Sequence, residues 1–178
     1  MLDTPRNRHG AGPAAQDAPL VSIDGLRVSF QTREGRVTGV EEIGFDIRPG
    51  ECVCVVGESG SGKSVTSLSL MRLVEYGGGQ IDGGVMLFDA GGAKPVDLAR
   101  QSDAAMRRIR GDKIGMIFQE PMTSLNPVFT VGDQLSESLI VHRGMTKAQA
   151  KARALALLRE VRIPEQAHKI GRASCRER

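Results

Sequence analysis

Several things this chain of 178 residues lacks narrow what it can be. It has no Trp, one Tyr and five Phe, so aromatic side chains are scarce. It has no uninterrupted apolar run near the twenty residues of a membrane span, so contact with a membrane must go through a partner. The N-terminus has no apolar signal core, which argues against secretion. Cysteine is scarce as well. Cys52 and Cys54 fall two apart on one face of a short apolar run, where buried thiols are common, and no further Cys/His cluster completes a metal site. These features suit a reduced, cytosolic chain.

Excess charge of one sign is missing too, once its location is considered. The formal net charge is +3, but Lys169 to Arg178 hold four of the 24 basic and one of the 21 acidic residues. The remainder carries 20 of each, so the basicity belongs to the tail and gives no footprint for nucleic acid.

What is present centres on Gly57-Glu58-Ser59-Gly60-Ser61-Gly62-Lys63-Ser64, which fits G-x-x-x-x-G-K-[ST]. Cys52 to Val56 before it has the two-sided apolar character of a buried parallel strand, and Val65 to Val74 after it reads as a helix. Strand, glycine loop and helix form the context in which this motif holds a nucleotide phosphate chain. Glycines let backbone N–H groups approach the phosphates closely, and the helix N-terminus adds its dipole. Lys63 then reaches the β- and γ-phosphates, and the Ser64 hydroxyl is placed to ligate Mg²⁺.

Around that centre the chain divides readily. Residues 1–19 are rich in Pro, Ala, Gly and Arg without periodicity and read as a disordered leader. Leu20 to Phe30 and Val37 to Ile47 read as strands joined by a turn at Glu34-Gly35, a β-subdomain attached to an α/β core. Gly77-Gly78-Gly79 ends the first helix, and Gln80 to Asp89 and Lys113 to Phe118 are further strands. Ser102 to Arg110 is a short helix with a solvated arginine face. Thr130 caps one later helix with a Val131, Leu135, Leu139 stripe. Thr146 and Gln149 form a capping box for another, which ends before Pro164.

Three segments carry a family resemblance: GESGSGKSVTSLSLMRLVE, MIFQEPMTSLNPVFTVGDQL and LLREVRIPE. Through them, residues 20–168 resemble the ATP-binding subunits of ABC transporters. The closest likeness is to the dipeptide, oligopeptide and glutathione import branch, with wording nearest the glutathione import ATPases. The fold class this implies is α/β, a P-loop NTPase of the ABC type, with an N-terminal antiparallel β-subdomain and the start of a helical subdomain. The resemblance implies that Gly57, Glu58, Ser59, Gly60, Ser61, Gly62, Lys63 and Ser64 cradle ATP. It also implies that Gln119 approaches Mg²⁺ and the attacking water, and that Glu120 to Pro127 lie near membrane subunits. Implied partners are transmembrane permease subunits, a second ATPase subunit or domain and, indirectly, a periplasmic binding protein, with no nucleic acid. The implied place is the cytoplasmic face of the inner membrane, held there peripherally.

The family pattern is incomplete. An adenine-stacking aromatic is expected just after the first strand, where Phe30 is followed by Gln31-Thr32. The Leu-Ser-Gly-Gly signature, the apolar strand with Asp-Glu and the switch histidine do not occur, so the chain by itself is expected to be inactive. Residues 169–178 look like a translated sequencing adapter and are expected to be foreign. Two other readings stand beside the ABC one. A stand-alone P-loop kinase or NTPase would use Asp89, at the end of Val85-Met86-Leu87-Phe88, as its metal ligand. A module that binds nucleotide without hydrolysing it is the other.

Overall fold

Strand β1 (Val21–Thr32) fills the middle of the first unit because it has a partner on each side. In a computed structural model describing residues 18–89, 91, 94–118 and 125–163, the chain forms two units, Met1–Ser102 and Asp103–Arg178. The first contains a four-stranded sheet in the order β2-β1-β3-β4, with β2 at Gly35–Ile47, β3 at Gly79–Phe88 and β4 at Val96–Asp97. Every pairing in it is antiparallel. The β1–β2 turn falls on Arg33 and Glu34, one residue earlier than the sequence suggests. Thr32 pairs with Gly35 there, and the Thr32 hydroxyl donates to the Gly35 carbonyl at 2.7 Å.

The core follows the alternation of β1. Ile23, Leu26 and Val28 point inward with Val40 of β2 and with Met86 and Phe88 of β3. A register shift between Asp24 and Arg27 interrupts the alternation opposite β3. Gly84 makes that shift possible: at φ 94° it lies so close that an added Cβ would be 2.6 Å from the Gly25 carbonyl. Helix α1 (Lys63–Leu70) closes the core with Met71, and a 3₁₀ turn at Val74–Gly77 adds the buried Val74. The helix is shorter than the expected run to Val74 because Arg72 turns left-handed, at φ 50°. A second 3₁₀ turn, Leu98–Arg100, contributes Leu98.

Two expected strands are not formed. Cys52–Val56 carries no ladder pairing among the described residues, and both cysteines are exposed rather than buried. Lys113–Phe118 shows only a bridge between Arg110 and Ile114, and Ile117 is 99% exposed. Both runs have the composition of parallel strands covered on two faces. Such a strand exists only between neighbours, and none of the described strands lies beside either run.

The second unit is helical. Helix α2 (Asp103–Ile109) buries Met106. Helices α3 (Val131–Arg143) and α4 (Lys147–Glu160) form a hairpin around Gly144, left-handed at φ 62°. Thr130 caps α3 by accepting from Asp133 N–H at 3.0 Å. Thr146 and Gln149 form both halves of the capping box on α4, as their spacing predicts. Ala150, Ala154 and Leu158, four apart, give α4 its buried face. The Val131, Leu135, Leu139 stripe of α3 is half-buried.

Candidate functional site

Gly57 to Ser64 form a tight loop whose shape depends on its glycines. Gly60 and Gly62 are left-handed at φ 83° and 89°. A Cβ on Gly57 would lie 2.6 Å from Ser61 Oγ, and one on Gly62 would lie 2.6 Å from the Gly39 carbonyl. The loop thus folds tightly on itself and against β2, with no room for a side chain at either point. Ser61 N–H closes a turn on the Glu58 carbonyl at 3.2 Å.

The last glycine of the loop is also the N-cap of α1. No side chain caps that helix, and its first turn contains no acidic residue. Its leading N–H groups and positive dipole end therefore carry no side-chain cap, which suits an external anion. Lys63, the first helical residue, turns back over the loop. Its Nζ donates to the Gly57 carbonyl at 2.7 Å, the Glu58 carbonyl at 2.5 Å and Ser61 Oγ at 3.2 Å. Those bonds hold an ammonium directly above the glycine cradle. Ser59 and Ser64 are exposed at the loop's surface, where the Ser64 hydroxyl can serve a cation. Farther along α1, Thr66 and Ser69 are buried and return their hydroxyl bonds to the Gly62 and Val65 carbonyls. A polyphosphate with a divalent cation fits this donor set.

Gln119 and Glu120 to Ser124 lie outside the described residues. Residues 1–17 and 164–178, including the tail at 169–178, also lie outside them. Asp89 follows the antiparallel β3, where Met86 and Phe88 are buried and Val85 and Leu87 are partly exposed. Its N–H donates to the Leu20 carbonyl, and its carboxylate accepts from Gly91 N–H at 2.9 Å. It makes a local turn just past β3, an interior strand of the sheet.

The sequence reading missed the setting of Phe30. Its ring lies across β1 between two glycines: a Cβ on Gly39 would be 2.7 Å from Phe30 Cε2, and one on Gly79 would be 2.8 Å from Cε1. A cross-strand aromatic over glycine stabilises a sheet by covering exposed backbone. The pairing of Phe30 with Gly79 is the signal, and it needs the strand register to be seen.

A glycine cradle under a lysine at a helix N-terminus is an arrangement that fits nucleotide phosphates. The comparisons make the class specific: residues 40–176 match the family model for ABC transporters, and the chain belongs to that family. It is 50% identical over 153 residues to a Brucella abortus (strain 2308) protein provisionally named as a peptide import ATP-binding protein, covering 86% of this chain and 45% of that one. It is 49% identical over 146 residues to the glutathione import ATP-binding protein GsiA of Salmonella typhimurium (strain LT2), covering 82% of this chain and 23% of that one. The chain thus spans less than half the length of these relatives. Among solved structures, the ATP-binding cassette MJ0796, a dimer in a post-hydrolysis state bound to ADP and Pi, superposes with TM-score 0.69 at 24% identity. That match covers 86% of this chain and 61% of that one and shows a shared fold.

Proposed function

We propose that this chain supplies the phosphate-binding part of an ATPase subunit that powers import of peptides or glutathione through an ABC transporter. The observation that carries this reading is the Lys63 ammonium held over the Gly57–Gly62 cradle, at the uncapped start of α1. Gly57 through Lys63 would bind the phosphates of ATP. Ser64 and Gln119 would hold Mg²⁺, and Gln119 would also orient the attacking water. The relatives' names support the peptide or glutathione cargo. The setting of Asp89 in an antiparallel turn counts against the kinase-like alternative.

The partners in this reading are permease subunits and a second ATPase subunit, with a periplasmic binding protein acting at one remove. No described helix is long and apolar enough to cross a membrane, which fits a peripheral position at the cytoplasmic face. Docking falls to Glu120 to Pro127 and the residues just beyond. Of these, Leu125, Val128 and Phe129 are exposed apolar side chains in the described part of the region. The leader at 1–19 and the foreign origin of residues 169–178 are part of the same reading and rest on composition. Resequencing across residue 168 tests the origin of the tail.

The test is Lys63→Ala. Calorimetry with Mg-ATP on folded protein should show affinity reduced by about tenfold or more, since each hydrogen bond to a charged group contributes about 1.5–3 kcal/mol. Equal affinity in parent and variant would remove the assignment.

A further inference from the structure

The loop entering α3 exposes three large apolar side chains, yet it is held firmly by a single residue of that helix. Gln134 Nε2 donates to the Asn126 carbonyl at 2.9 Å and to the Phe129 carbonyl at 3.1 Å. Gln134 Oε1 accepts from Asn126 N–H at 2.9 Å. One carboxamide therefore pairs with both main-chain groups of Asn126 and with a carbonyl three residues on. Within the loop, Asn126 Oδ1 accepts from Val128 N–H at 3.0 Å, and Phe129 N–H returns to the Asn126 carbonyl at 3.3 Å. Val128, at the tip, is 83% exposed and Phe129 55%. Beside them lies a groove of about 830 Å³ whose lining includes Phe129, Gln134, Ile140, Val141, Lys147 and Lys151.

Exposed apolar groups on a loop with satisfied backbone bonds are costly in water and well prepared for binding, because little ordering entropy remains to be lost. We propose that Gln134 is a positioning residue for partner docking: it fixes the loop 125–130 so that Val128 and Phe129 meet the membrane subunits in one arrangement. This rests on the docking assigned to that region above. No other amino acid reproduces the clamp. Glutamate at 134 keeps an acceptor for Asn126 N–H but loses both donors. Asparagine keeps both atom types on a side chain one methylene too short.

The experiment uses the full-length protein purified with its co-purifying membrane subunits, carrying a photo-reactive residue at Val128. Gln134→Ala and Gln134→Glu should each lower cross-linking to the membrane subunits, and the stimulation of ATP turnover by transport substrate, by about tenfold, as expected for loss of more than one hydrogen bond. ATP affinity should stay at the parent's value, and cross-linking should fall beyond any change in melting temperature; a loss that only tracks destabilisation overturns the proposal. Equal cross-linking and stimulation in parent and variants overturns the proposal. If Gln134→Ala fails to fold, Gln134→Glu decides by the same readings. Misfolding of both makes Gln134 a folding residue and also overturns it. If the parent itself neither co-purifies nor cross-links, the docking reading fails, and this inference fails with it.

Discussion

Val21–Thr32 and Cys52–Val56 are both β-branched, apolar stretches, and they meet opposite fates. The first lies between β2 and β3 and buries Ile23, Leu26 and Val28. The second has no strand beside it among the described residues, leaving Val55 about half-exposed and Val56 79% exposed. The difference lies in the neighbours. A strand's N–H and C=O groups are satisfied only by another strand, and β-propensity measures fit to a surface that must already be there. The hairpin of β1 and β2 supplies that surface from a few residues away. A parallel strand needs partners separated by long crossovers.

The contrast can be broken most sharply at its two centres. Leu26→Ala, at a site with no exposure, should cost about 2–5 kcal/mol in a denaturant titration. Val55→Ala should change stability by no more than about 0.5 kcal/mol, as at other open positions. A comparable loss at Val55 would show that the run is packed in solution and that the contrast is wrong.

A smaller effect separates local from non-local determination. Thr146→Ala removes one half of the α4 capping box and should cost about 1 kcal/mol, seen as a lower midpoint for the second unit. Gln149→Ala should cost less, since it leaves the Thr146 hydroxyl on the N3 amide. Equal losses would mean that the reciprocal bond matters as much as the cap itself.

A small effect is also expected where Arg36 pairs with Asp82 across three strands and donates to Ser29 Oγ at 2.8 Å. Asp82→Asn should shift stability by about 0–1 kcal/mol, and less in high salt. A larger, salt-independent loss would show that the pair helps set the strand register.

Much of the site could be read directly from the chain. The glycine spacing, Lys63 and Ser64 specify a cradle because every constraint acts within eight residues. The caps at Thr130 and Thr146 specify helix starts within three. Phe30 was harder to read: its role depends on Gly39 and Gly79, which only strand pairing brings to it. The same holds for Asp89, whose tetra-apolar approach resembles a metal-binding strand until its antiparallel partner is known.

The sequence alone thus determined the tight glycine loop, the start of the helix that follows it, the capping of α3 and α4 and the family to which the chain belongs. Each of these rests on contacts between residues close in the chain or on a motif with a fixed order. The tertiary structure decided which apolar runs become strands, where the ring of Phe30 lies and that Cys52 and Cys54 are exposed. It also decided that Gln134 clamps the loop eight residues behind it. These depend on partners that spacing cannot reveal, because burial and strand pairing are properties of the assembled surface and not of the segment that joins it.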